Sequence, residues 1–175
     1  IMEHSVAKMQ RLMQLLRTGI SSGKLVSANL VVAVSDAVNN CSGGRPVPVF
    51  DSELEEVRVT MDRDRMTSVM ENLVRNAQDA TADDGVVTIS LGCRDNSVDI
   101  LIEDSGCGMD AEFVRERLFR PFDTTKGDTG MGIGAYECRE YVHSLGGDIR
   151  VESEPGKGTR ISISLPLSAE QATTE

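Results

Sequence analysis

Apolar residues recur at helical spacing from the start of the chain. Met2, Val6, Met9, Met13 and Leu16, widened by Leu12 and Leu15, predict a helix over residues 1–18 that Gly19 ends. Such a stripe calls for a partner helix, and the glycine- and serine-bearing residues 19–24 read as a linker. A second apolar run, Leu30 to Val38, predicts a helix broken by Gly43, Gly44, Pro46 and Pro48. Short β-type runs follow near Val47 to Phe50 and Val57 to Met61, and Asp62 or Asp64 can cap a strong helix over Arg65 to Ala80. Alternation over Val86 to Leu91 and Val98 to Ile102 predicts two strands. A short helix near Ala111 to Leu118 precedes a polar, glycine-bearing loop from Arg120 to Thr129. The next helix, Met131 to Leu145, begins inside a glycine cluster and is stopped by Gly146 and Gly147. Ile149 to Ser153 and Arg160 to Leu165 close the pattern as a hairpin, and residues 168–175 form a polar tail.

Helices interleaved with strands that include hairpins predict an α/β (α+β) two-layer sandwich over residues 25–167, a mixed sheet with helices on one face. A doubly wound parallel sheet fits less well. The length of 175 residues suits one such domain with a short appendage.

Charge narrows the chemistry. The formal net charge of -10 opposes a nucleic-acid or anionic-membrane surface, and with no Trp and few aromatic residues a base-stacking platform is excluded as well. An anionic ligand must therefore be attracted by local donors such as backbone amides, a helix N-terminus, a metal ion or a few placed cations. Cys41, Cys93, Cys107 and Cys138 form no C-x-x-C pair, and His4 and His143 give no zinc spacing, so reduced thiols are expected. No apolar run reaches the length of a membrane span and no signal peptide opens the chain, which places the expected location in the cytoplasm, whether or not a longer parent is membrane-anchored.

Three clusters carry candidate chemistry. On the helix through residues 66–80, Met66, Val69, Met70, Leu73, Val74, Ala77 and Ala80 share one arc, Asn72, Asn76 and Asp79 fall on its flank, and Glu71, Arg75 and Gln78 are expected to point to solvent. Two amides four residues apart present oxygens to one spot, as magnesium requires beside phosphates, or else bond neighbouring backbone. Asp104, at the end of a strand, can accept a hydrogen bond from the exocyclic amine of adenine, while Gly106 and Gly108 let the backbone turn and approach a flat ring. The run Gly127 to Gly134 opens a helix whose first amides form a phosphate site with no need of a positive surface. It matches neither a P-loop nor a dinucleotide fingerprint.

The order of these clusters carries a resemblance. "MENLVRNAQDA" (70–80), "DSGCGM" (104–109), "LFRPFDTTK" (118–126) and "GDTGMGIGAY" (127–136) resemble the asparagine, first glycine, phenylalanine and second glycine boxes of histidine-kinase ATPase domains of the GHKL superfamily. "LGGDIRVESEPGKGTRISISLP" (145–166) is similar to the end of that domain. The resemblance implies the Bergerat ATP-binding fold with a mobile lid, and ATP and magnesium as cofactors. It implies that Asn76, helped by Asn72, ligands magnesium, and that Asp104 holds the adenine amine. Gly106, Gly108 and Met109 shape the base pocket, Asp79 lies on the ATP-binding flank, and Thr159 closes the pocket near the base. Phe119 and Phe122 anchor the lid, which contains Thr124, Thr125, Lys126 and Thr129. The resemblance further implies that Lys126 can reach the phosphates and that Gly130, Met131, Gly132, Ile133 and Gly134 cradle them. Asn72, Asn76 and Lys126 are the catalytic candidates.

Departures from the family pattern refine this. Asp79 and Ala80 stand where many members carry a basic residue and then Tyr, and Leu145 stands where a His often precedes the double glycine, a pattern resembling the nitrogen-regulator branch. Hydrolases of the superfamily carry a Glu four residues before the magnesium asparagine. Here that residue is Asn72, which cannot serve as a general base. The expected function is therefore phosphoryl transfer from ATP to a histidine on a separate dimerisation and histidine phosphotransfer domain, within a homodimer that signals to a response regulator. His4 lacks the Glu and Pro usual around a phospho-accepting histidine, so residues 1–18 read as the end of a dimerisation helix. A serine kinase resembling anti-sigma factors, an ATP hydrolase and a non-catalytic nucleotide sensor are the alternatives.

Overall fold

The computed structural model describes residues 23–121, 123 and 132–169. The sequence-predicted helix over residues 1–18 lies outside them. The described chain runs β1 (Val26–Asn29), α1 (Leu30–Cys41), β2 (Val49–Asp51), β3 (Arg58–Met61), α2 (Arg63–Ala80), β4 (Val87–Arg94), β5 (Ser97–Asp104), α3 (Ala111–Glu116), α4 (Gly134–Ser144), β6 (Asp148–Glu154) and β7 (Gly158–Pro166). Five strands form a mixed sheet in the order β2-β4-β5-β7-β6, and β1 and β3 form a separate antiparallel pair. All neighbours in the large sheet are antiparallel except β2 and β4, which run parallel.

Strand alternation fixes which sheet face is covered. Val87, Ile89 and Leu91 of β4, Val98, Ile100 and Ile102 of β5, and Ile163 and Leu165 of β7 are buried. They join one core with Leu30, Ala33, Val34, Ala37 and Val38 of α1, Met66, Val69, Met70, Leu73, Val74 and Ala77 of α2, and Cys138, Tyr141 and Val142 of α4. The intervening Thr88, Ser90, Asp99, Leu101 and Ser162 remain partly exposed on the other face. The two-layer sandwich expected from the sequence is therefore the observed architecture.

Caps define the helices. Asn29 accepts from the Val31 amide at 3.0 Å and starts α1, and the same Oδ1 accepts from the Val57 amide at 3.2 Å. Between the two aspartates that the sequence offered for α2, the structure selects Asp62, whose Oδ1 accepts from the Arg65 amide at 3.1 Å. Such a cap contributes about 1 kcal/mol.

Three sequence expectations are corrected. Gln78, expected to face solvent, is only 7% exposed. Its Nε2 donates to the carbonyls of Cys41 and Pro46, both at 3.0 Å, so a long-range polar demand overrides its place on the helical wheel. Glu71 is partly covered by α1, where it accepts from Asn40 Nδ2 at 2.7 Å. Ser168, read as the first residue of a polar tail, is 3% exposed. Its amide donates to the Arg58 carbonyl at 2.8 Å, and its hydroxyl meets Ser27 Oγ at 3.3 Å. Strand β1, which the sequence did not announce, owes its existence to pairing with β3.

Candidate functional site at the end of the sheet

The helix-facing side of the sheet ends in a polar row. Ile102 of β5 is level with Ile161 of β7, itself level with Val151 of β6. One pleat further on, Asp104, Thr159 and Ser153 occupy the corresponding positions. A side chain two residues along a strand returns to the same face, so apolar packing gives way there to a carboxylate and two hydroxyls. Asp104 Oδ1 accepts from the Gly106 amide at 2.9 Å and from the Thr159 amide at 3.2 Å, which leaves Oδ2 as the oxygen available to a ligand. Burial is the main influence on this carboxyl and raises its pKa above the ordinary aspartate value, while the two amides act in the opposite sense. Thr159 is 9% exposed.

The loop after Asp104 is pressed against neighbouring backbone. Gly108 has a φ of +66°, and a Cβ there would collide with the Glu154 carbonyl. A side chain on Gly106 would strike the Ala80 carbonyl, and one on Gly158, whose φ is +97°, would strike the Asp104 carbonyl. The loop is anchored from three sides. Cys107 donates its amide to the Ala80 carbonyl at 2.9 Å and accepts from the Gly156 amide at 2.8 Å, while the Met109 amide donates to Ser153 Oγ at 2.8 Å.

The Ala80 contact makes α2 a ruler for the site. With a rise of about 1.5 Å per residue, Asn76 stands about 6 Å and Asn72 about 12 Å back from the loop along the same helix. Asn72, Asn76 and Asp79 are exposed, as the flank assignment required. The first turn of α4 lies beside them: a Cβ built on Gly134 would be 3.7 Å from Asn72 Cβ and 3.9 Å from Asn76 Nδ2. No side chain caps α4 at Ile133, which is itself buried. Two hard amide oxygens beside a helix N-terminus fit magnesium held jointly with phosphate oxygens. Among the described residues no group of three His, Cys, Asp or Glu side chains could hold a metal without such help.

Two contacts mark the ends of the sequence-predicted lid. Phe119 packs against the core with the Arg139 guanidinium 5.0 Å from its ring centre. Arg117 forms a two-pronged ion pair with Asp123, at 2.6 and 3.0 Å, which holds the Asp123 carboxyl below its usual range. Gly132, with φ of +63°, lies against the Asp123 backbone so closely that a Cβ would clash. Phe122, Thr124, Thr125, Lys126, Thr129, Gly130 and Met131 lie outside the described residues. Of the sequence-predicted site, the structure thus brings together Asn72, Asn76, Asp79, Asp104, Gly106, Gly108, Met109, Gly132, Ile133, Gly134 and Thr159.

Known proteins share this fold. A family model described as histidine kinase-, DNA gyrase B- and HSP90-like ATPase matches residues 61–169. The chain belongs to this ATPase family. Within it, the chain is 33% identical over 163 residues to the sensor histidine kinase ZraS of Klebsiella oxytoca, covering 91% of this chain and 35% of that protein. It is 32% identical over 162 residues to the signal transduction histidine-protein kinase AtoS of Escherichia coli, covering 91% of this chain and 26% of that protein. The chain thus spans about a third or less of the length of these relatives. Among solved structures, the nucleotide-free catalytic domain of histidine kinase ThkA matches with a TM-score of 0.73 at 27% identity, covering 85% of this chain and 99% of that one. Full-length ShkA in complex with AMPPNP shares the fold, with a TM-score of 0.76 at 20% identity over 94% of this chain and 36% of that one.

Sequence reasoning missed two residues, one within this cluster and one that ties together the helices beside it. Ser153 lies in a strand and looks like any outward polar residue, although its odd-numbered register with Ile149 and Val151 places it on the covered face. Tyr141 was not singled out by the sequence pattern, and its hydroxyl donates to the Asp62 carbonyl at 2.9 Å and accepts from the Asp62 amide at 3.0 Å.

Proposed function

We propose that this chain is the ATP-binding catalytic domain of a two-component sensor histidine kinase, which passes the γ-phosphate of ATP to a histidine on a separate dimerisation domain. The observation that carries the proposal is the succession along α2. The loop that follows Asp104 sits at Ala80, and Asn76 and then Asn72 lie further back beside the uncapped first turn of α4. A nucleotide laid along this helix presents its base to Asp104 and its phosphates to Asn76 and the α4 amides.

Each residue then has a task. Asp104 Oδ2 accepts from the exocyclic amine of adenine, Gly106, Gly108 and Met109 form the edge of the base pocket, and Thr159 closes it. Asn76 and Asn72 hold magnesium through their amide oxygens, which with the metal offsets phosphate charge that a protein of net charge -10 would otherwise repel. Asp79 lies on the same exposed flank, and the amides at Gly132, Ile133 and Gly134 orient the phosphate chain. Thr124, Thr125, Lys126, Thr129, Gly130 and Met131 complete the phosphate side, with Lys126 as the cation that reaches the phosphates.

Transfer is favoured over hydrolysis because Asn72 stands where a general base would be needed, and Glu71 is engaged by Asn40 of α1 and by Arg75. The acceptor histidine lies in the longer protein, which acts as a homodimer and signals to a separate response regulator. The described residues contain no helix long and apolar enough to cross a membrane, and the site is assigned to the cytoplasm, where ATP is supplied.

Titration with magnesium-ATP tests the binding half of the proposal: Asn76→Ala should abolish the metal dependence of affinity, and Asp104→Asn should reduce the preference for adenine. Addition of the parent's dimerisation domain tests transfer, with acid-labile phosphate on histidine as the expected product. Acid-stable phosphoserine on a partner, or steady ATP turnover with no partner present, would replace the kinase assignment by one of the alternatives.

A further inference from the structure

The hydroxyl of Ser153 is placed where its hydrogen bonding can be counted to completion. It owns one proton and two lone pairs. The Gly158 carbonyl, 3.0 Å away, can only accept, so the proton of Ser153 goes there. The Met109 amide, 2.8 Å away, can only donate, so it takes one lone pair. Thr159 Oγ1 stands 2.9 Å from the same oxygen, and only a lone pair remains to meet it. Thr159 must therefore be the donor, and its single proton is spent inside the protein. What Thr159 can offer a ligand is acceptor capacity alone.

The neighbouring position in the row has the same polarity. Asp104 Oδ1 is occupied by the amides of Gly106 and Thr159, and Oδ2 is an acceptor whenever the carboxyl is ionised. The row therefore ends in two acceptors with no donor between them. Such an edge suits a 6-aminopurine, whose exocyclic amine donates, and opposes a 6-oxopurine, whose oxygen would meet lone pairs.

We propose that Ser153 is a specificity-determining positioning residue: by consuming the Thr159 proton it locks Thr159 as an acceptor and so excludes 6-oxopurine nucleotides. It acts through Thr159. Without Ser153 the Thr159 hydroxyl is free to rotate and donate to a 6-oxo group, and the exclusion relaxes. This inference rests on the reading that the Asp104 cleft receives the base.

The test is competitive binding of magnesium-ATP and magnesium-ITP, which differ in the ring at the 6-oxo group and the adjoining nitrogen, measured for wild type, Ser153→Ala, Ser153→Thr and Thr159→Val. Wild type should prefer ATP. Ser153→Ala should reduce the ATP-to-ITP affinity ratio by about three- to tenfold, the equivalent of one net hydrogen bond. Ser153→Thr, which keeps the oxygen, should restore the ratio. If Ser153 serves only to prop the Met109 loop, both nucleotides weaken together and the ratio does not move, which overturns the inference. Thr159→Val gives a second route should Ser153→Ala fold poorly. Loss of the locked acceptor lowers the ratio, and an unaltered ratio again overturns the inference. Failure of wild type to bind either nucleotide would instead remove the site reading on which the inference rests.

Discussion

The hydroxyl of Tyr141 clasps the backbone of Asp62 from both sides, donating to its carbonyl at 2.9 Å and accepting from its amide at 3.0 Å. Asp62 is the cap of α2, and Tyr141 is two turns along α4 from Gly134. One side chain thus ties together the two helices whose surfaces meet at Asn72, Asn76 and Gly134. The Arg65 guanidinium, 4.5 Å from the ring centre, covers the outer side of the same tyrosine. Burial raises the Tyr141 pKa, so the hydroxyl stays protonated and able to donate at neutral pH.

Tyr141→Phe should destabilise the fold by about 1–2 kcal/mol. The Asp62 carbonyl retains the Met66 amide as a donor at 3.0 Å, so the loss falls mainly on the Asp62 amide, left without its acceptor. Urea unfolding with an unchanged denaturant slope checks this. A midpoint equal to that of wild type would show that the clasp contributes nothing net.

Gln78→Leu tests the second tie. The substitution keeps bulk but removes the Nε2 donor from the Cys41 and Pro46 carbonyls, each 3.0 Å away. Two buried acceptors lose a partner, and the expected cost is about 1–3 kcal/mol. An exposed Gln at this position, as the helical wheel implied, would give a change within about 0.5 kcal/mol in the same unfolding experiment.

The raised pKa of Asp104 predicts an unusual dependence of stability on pH. Because the folded carboxyl binds its proton more tightly than the unfolded one, the group favours the fold in acid. That contribution is lost as pH rises through the folded value. Asn keeps an oxygen for the Gly106 and Thr159 amides but never ionises. In the absence of nucleotide, the Tm of wild type relative to Asp104→Asn should therefore fall as pH is raised from strongly acid to neutral. A difference that grows in favour of wild type over that interval would show that the amides outweigh burial and that the sign is reversed.

How much of this was legible beforehand depended on the range of the interaction. The helical period of Met66, Val69, Met70, Leu73, Val74 and Ala77 already fixed the buried face of α2. The alternation of Val98, Ile100 and Ile102 likewise fixed the covered face of β5, since burial at such positions follows from local geometry. The glycines at 106 and 108 and the run before α4 marked the site because close backbone approach leaves a trace in composition. The existence of β1, the parallel pairing of β2 with β4, the inward turn of Gln78, the Tyr141 clasp and the company Ser153 keeps left no such trace. Each depends on a partner from 5 to 79 residues away along the chain. Residue type and spacing determined which groups were available for chemistry. Only the tertiary fold, by bringing distant donors and acceptors within about 3 Å, decided which way each hydroxyl and amide would face.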